Sequence, residues 1–261
     1  NVETVKKCVE LVKKSGKAEL HHISTVSVGS GYIENKKYDV FTEKSVDIGQ
    51  IGDNNYVNSK IEAERYIEQE REKGMCITVY RIGNLVFDSR NGKFQKNIEA
   101  SAFYGLVRSV LALGRIPAVN KTTLDFSCIN ETADAILTIF DKEKLIGQNW
   151  HVYNSHPVEM VDLIKMINQT GVFNVEISEP EVFFEFLKMH YSDEHYGKLI
   201  RNILSETGIL DQHKNLTNIH VLNDMSQKMM NTIGYHFSNI NVDLIRKMLE
   251  HAIACGFLQQ E

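Results

Sequence analysis

Tyr56 and Lys60 stand four residues apart, so on a helix they lie one turn apart on a shared face. A phenol beside an ammonium is a tuned proton donor, because a nearby cation favours the phenolate form. A carbonyl that receives a hydride builds negative charge on its oxygen. A phenol and a second hydroxyl aimed at that oxygen would stabilise the charge and deliver the proton. Thr25 or Ser24, at the end of the run His21-His22-Ile23-Ser24-Thr25, offers the second hydroxyl. Adjacent strand residues point to opposite faces, so one of the two serves.

The spacing is not unique, since Tyr32 and Lys36 repeat it. Tyr32 follows Gly29-Ser30-Gly31 and sits among Glu34 and Asn35, a polar loop. Tyr56 opens a helical segment after Gly52-Asp53-Asn54. The plainer alternative is an amphipathic surface pair, with the phenol half buried and the lysine solvated. The elements around the pair decide between the two.

Val2, Val5, Val9 and Val12 repeat at helical spacing and Gly16 supplies a stop. Residues 18–28 then read as a buried strand with a hydroxyl-rich end, and 29–54 as a long loop. A helix from Tyr56 to Lys73 turns Ile61, Tyr66 and Ile67 inward and sets Glu62, Glu64, Glu68, Glu70 and Glu72 on a solvated face. Cys76 to Ile82 is a β-branched strand. A polar turn (85–96), a helix (97–113), a break at Arg115-Ile116-Pro117, a strand-like Leu124–Ile129, a helix (131–140) and a short strand at Trp150–Tyr153 follow. Beyond residue 155 the pattern is mostly helical, with a single strand-like interruption at Val172–Ile177.

This alternation predicts an α/β protein. Residues 1–154 read as half of a Rossmann-like, doubly wound parallel sheet, and 155–261 as a mostly helical subdomain that faces substrate or a partner. Ligands of such sheets bind at the carboxyl ends of the strands. No glycine-rich phosphate-binding fingerprint lies between a strand and a helix; Gly49-Gln50-Ile51-Gly52 is a loop doublet.

The chain has 261 residues, 43% of them hydrophobic, and a net charge of -5. It carries no basic field for nucleic acid or anionic lipid. Cys8, Cys76, Cys128 and Cys255 lie far apart, which indicates neither a zinc site nor a disulfide framework. They read as reduced, mostly buried thiols of a cytoplasmic protein. No apolar run is long enough to span a membrane.

Ile23-Ser24-Thr25-Val26-Ser27-Val28-Gly29, then Tyr56-x-x-x-Lys60, then Tyr80-Arg81-Ile82-Gly83-Asn84, in this order, resemble the extended short-chain dehydrogenase/reductases. Residues 84–95 (NLVFDSRNGKFQ) and 124–136 (LDFSCINETADAI) narrow the resemblance to the terminal thioester reductase domains of nonribosomal peptide synthetases, relatives of carboxylic acid and fatty acyl reductases. It covers residues 1 to about 155 well. It implies a catalytic triad of Thr25, Tyr56 and Lys60, and cofactor contacts from Ser24, Tyr56, Lys60, Arg81, Ile82, Gly83 and Asn84. Ile82 departs from a common proline and Asn130 from a common aspartate.

The resemblance further implies NADPH as cofactor, a peptidyl or acyl carrier protein whose phosphopantetheine arm tethers the thioester, and synthetase domains upstream in the same parent chain. The product would be an aldehyde, or an alcohol after a second reduction. Because such domains open with a nucleotide-binding half that has no counterpart here, this chain alone is expected to be inactive. Two rivals stay open: a dehydrogenase or epimerase acting on a sugar nucleotide or other alcohol, and a non-catalytic docking module of the same fold.

His21 and His22 alternate on a strand without a partner at ligand spacing, so no metal site is expected. Phe183, Phe184, Phe186 and Leu187 read as core before channel lining, as do Met225, Met229 and Met230.

Overall fold

The structure, a computed structural model, describes residues 1–36, 39–118, 123–207 and 218–259. In chain order the elements are α1 (Val2–Ser15), β1 (Leu20–Thr25), β2 (Asp39–Phe41), α2 (Asn55–Glu72), β3 (Ile77–Ile82), α3 (Ala102–Leu113), β4 (Arg115–Pro117), β5 (Thr123–Leu124) and α4 (Ile129–Phe140). There follow β6 (Asn149–Val152), β7 (Val158–Glu159), α5 (Met160–Thr170), β8 (Glu176–Ser178), α6 (Pro180–His190), α7 (Glu194–Thr207), β9 (Ile219–Val221), α8 (Asp224–Thr232) and α9 (Val242–Ala254). The class is α/β with a parallel sheet, as expected.

Two compact units share the chain. The first comprises Asn1–Leu85, Thr132–Ser155 and Asn215–Phe237; the second comprises Val86–Glu131, His156–Lys214 and Ser238–Glu261. The chain passes between them five times.

In the first unit β1, β3 and β6 form a parallel sheet in the order β1-β3-β6. Thr25 is opposite Ile82, and Ile82 is opposite Val152, so these three residues end the strands in one row. Parallel strands are commonly buried on both faces, and β3 and β6 follow that, whereas β1, read from the sequence as buried, is mostly half-buried with Ile23 exposed. Val5 and Val9 of α1 pack with Ala63, Ile67, Ile77 and Val79. Tyr80, Trp150 and Val152 pack with Ala135 and Ile139 of α4 and with Met229 and Met230 of α8. The long loop carries β2, which pairs in parallel with β9, and a bridge between Tyr32 and Ile51.

The second unit is mostly helical. Its core joins Tyr104, Phe126, Met160, Phe183, Ile245 and Leu249 among others, with α3 on α7 and α5 on α9. Small ladders, β4 with β8 and β5 with β7, complete it.

Several local readings change. The strand expected to run to residue 28 stops at Thr25, because the Thr25 side chain accepts from the Ser27 N–H and caps a 3₁₀ turn, Val26–Gly29. Arg115-Ile116-Pro117 is not a break but an edge strand, where proline is tolerated. Of 124–129 only Leu124 lies in a strand, Ser127 makes a single β-bridge, and Ile129 already opens a helix. The strand read at 172–177 lies at Glu176–Ser178, and β7 and β9 add two more short strands beyond residue 155 among the described residues. Cys128 is the one buried cysteine; Cys8, Cys76 and Cys255 are exposed, and all four are free.

Among the described residues no helix is long and apolar enough to cross a membrane.

Candidate active site

The carboxyl end of β1 and the amino end of α2 are held together by the turn that Thr25 caps. Val28 of that turn packs with Val57 and Ile61 of α2. The loop returning to α2 is closed by paired backbone bonds, Tyr32 N–H to Ile51 O at 3.1 Å and Ile51 N–H to Tyr32 O at 2.8 Å. Gly31 permits this with φ of 100°, since a Cβ there would stand 2.0 Å from the Ile51 carbonyl oxygen.

The first turn of α2 is anchored twice. Asn54 is its N-cap, with Oδ1 accepting from Val57 N–H at 3.0 Å. The Asn58 amide accepts from Gly52 N–H and donates to the carbonyls of Gly52 and Asn54. This turn presents Tyr56, which is 55% exposed. Lys60 Nζ lies 5.8 Å from the centre of the Tyr56 ring, so the two form the adjoining pair that their spacing predicts. Lys60 also walls a cavity of about 230 Å³ with Thr4, Cys8, His21 and His22. Burial, and then the Lys60 charge, hold the His22 imidazole below its ordinary pKa.

Beneath this surface lies a second group of polar residues. Ser24 is 3% exposed and donates to Glu64 Oε1 at 2.5 Å. Glu64, also 3% exposed, is paired with Arg81, which is wholly buried: Nη2 to Oε2 is 2.6 Å and Nε to Oε2 is 2.9 Å. Arg81 further donates to the carbonyls of Ser45 at 2.6 Å and Thr42 at 3.2 Å, and lies over the Phe41 ring at 4.6 Å. Its Nη1 donates to His151 Nε2 at 3.2 Å, which leaves the proton on Nδ1 to be donated to Leu222 O at 2.8 Å. Burial and the adjacent guanidinium push the His151 pKa down to about 4.

The residues expected to act thus fall into two sets. Tyr56 and Lys60 lie together at the start of α2, and Thr25 begins the turn on which α2 packs. The Thr25 hydroxyl already bonds Ser27, accepting from its N–H and donating to its Oγ, each at 3.2 Å. Ile82 ends β3 beside Thr25, and Gly83 and Asn84 continue from that edge. Ser24 and Arg81 face inward, and their side chains are engaged by the protein. Asn130, at the other departure from the family pattern, accepts from Ser89 N–H and donates to Ser89 Oγ.

Sequence reasoning missed Glu64 and His151, and it set Glu64 and Glu70 on a solvated face where the structure buries both, at 3% and 2% exposure. A signal was available for Glu64: it follows Ile61 by three residues and precedes Ile67 by three, so it belongs to the buried stripe of α2.

For a nicotinamide cofactor, the Thr25 hydroxyl at the end of β1 and the Tyr56 phenol and Lys60 ammonium at the start of α2 offer hydrogen-bonding groups. No glycine-rich turn joining a strand to a helix, such as cradles a pyrophosphate, occurs among the described residues.

Comparison with known proteins gives a consistent picture. The model of the male sterility protein family, an NAD-binding family, matches residues 1–136. A linear gramicidin synthase of Brevibacillus parabrevis is 20% identical over 261 residues, which is 99% of this chain and 5% of that protein. A thiolation-reductase di-domain from an archaeal non-ribosomal peptide synthetase has a TM-score of 0.81 at 22% identity, over 98% of this chain and 53% of the other. UDP-glucuronic acid 4-epimerase from Bacillus cereus, solved with NAD, has a TM-score of 0.55 at 14% identity, over 92% and 63%. The chain therefore spans about half of the di-domain and a small part of the gramicidin synthase. At these identities the solved structures establish the fold.

Proposed function

The chain belongs to the male sterility protein family, and from that premise we propose that it is the triad-bearing part of a nicotinamide-dependent oxidoreductase that releases a carrier-bound peptidyl or acyl thioester as an aldehyde. The carrying observation is the Tyr56–Lys60 pair at the exposed start of α2, on the turn that Thr25 opens. The higher similarity to a thiolation-reductase di-domain than to an epimerase, TM-score 0.81 against 0.55, supports this substrate class over a sugar nucleotide.

NADPH, when bound, supplies the hydride. Tyr56 and Thr25 then hold the oxygen that becomes an oxyanion as the carbonyl carbon gains its C–H bond. Lys60 keeps the phenol acidic and offers its ammonium to the cofactor ribose. Collapse of the tetrahedral adduct breaks the C–S bond, leaving an aldehyde and the phosphopantetheine thiolate, which takes its proton by way of the Tyr56 phenol, reprotonated from solvent. Atoms and electrons balance with one hydride and one proton per thioester. An alcohol would need a second hydride and a second proton.

The full-length protein should oxidise NADPH in the presence of a carrier-tethered acyl thioester and release an aldehyde that a hydrazine traps. Oxidation with nucleotide sugars and none with the thioester would replace this reading by the dehydrogenase or epimerase one. No turnover of either would favour a docking module.

A further inference from the structure

Ser24, Arg81 and His151 are neighbours across the sheet: Ser24 is opposite Arg81, and Arg81 is opposite His151. This polar row lies one residue before the row Thr25, Ile82, Val152 that ends the strands. From the helix side Glu64 reaches the row and bonds both Ser24 and Arg81. Glu64 follows Lys60 by one helical turn and Tyr56 by two. The network is therefore one residue from the hydroxyl of the triad and one turn from its ammonium.

We propose that Ser24, Glu64 and Arg81 form a positioning device that fixes the rotation and height of α2 on the sheet, and thereby the places of Tyr56 and Lys60 relative to Thr25. This rests on the reading of those three as the catalytic group.

The geometry carries the inference in three ways. Apolar packing of Val57 and Ile61 tolerates sliding, whereas a hydrogen bond loses strength within a few tenths of an ångström and tens of degrees. The guanidinium presents its donors in a fixed planar fork, and here the fork is fully used: on Glu64, on the carbonyls of Thr42 and Ser45, and on His151. Thr42 and Ser45 belong to the loop that leads into α2, so the same side chain fixes the helix and its approach. A buried pair is moreover a weak source of stability and a good source of register.

Arg81→Lys is the discriminating variant, because it keeps a cation for Glu64 and loses the fork. In the full-length protein we expect kcat for thioester reduction to fall about 10²-fold, as for a misplacement near 1 Å, with KM for the tethered thioester little changed. Amide exchange should quicken at 25–29 and 55–64, with exchange in α5 and α9 unaltered. If Arg81→Lys does not fold, Glu64→Gln/Arg81→Met serves by the same criteria, since it leaves no unpaired buried charge. A variant with wild-type turnover and wild-type exchange overturns the proposal, as does exchange that quickens uniformly over the chain. If Tyr56→Phe also turns over at the wild-type rate, the catalytic reading has failed and exchange alone decides: local quickening sustains the positioning role, and its absence overturns it.

Discussion

At the scale of single residues, the exposed pair carries the sharpest expectation. Tyr56→Phe should lower thioester reduction by ~10²–10⁴-fold, the usual weight of a general acid, while NADPH affinity measured by calorimetry stays near wild type. Lys60→Ala should weaken both. His151 sets a pH dependence. Its folded pKa is pushed down to about 4, so the unfolded chain binds the proton first as pH falls through the ordinary histidine range near 6.5. Stability should therefore decline between about pH 6.5 and 4, and denaturant titrations of His151→Gln should show a shallower decline. Tyr56 and Lys60 were legible in the sequence because one helical turn is a local relation. The partners of Arg81 were not, since Glu64, Thr42, Ser45 and His151 are separated from it by 17 to 70 residues and come from a helix, a loop and a strand that meet only in the folded chain.

At the scale of elements, α2 is the piece on which the site depends. Its N-cap carries a stability expectation of its own: Asn54→Ala should cost about 1 kcal/mol, read as a lower thermal midpoint. Farther along, Glu70 is held by Lys13 and by Lys73 at 2.9 Å, and those bonds keep its carboxyl below the usual range. A depressed carboxylate pKa adds stability above the unfolded value that is lost as pH falls through the folded one. Glu70→Gln should therefore destabilise at neutral pH and flatten the acid limb of the stability curve. Helices were readable from their apolar period and their glycine stops, as at Gly16 and Gly114. Short strands were not: β2 and β9 have three residues each, and their pairing joins segments about 180 residues apart, which leaves no periodic trace in either.

At the scale of the whole molecule, cofactor capture is the property to measure. With no strand-to-helix glycine turn among the described residues, calorimetric titration of NADPH into this 261-residue chain should show no binding, and tight one-to-one binding would mean that another segment holds the pyrophosphate. The interleaving of the two units reaches further, into how the protein is made. A ribosome that has delivered residue 155 has produced the three-stranded sheet and α4, yet β9 and α8, which belong to the same unit, lie in Asn215–Phe237. Until they emerge, β2 has no partner strand and the apolar face of β6 lacks Met229 and Met230. The nascent chain must therefore carry an unfinished, sticky surface through synthesis of the entire 156–214 segment, which makes it a natural client for chaperones during translation.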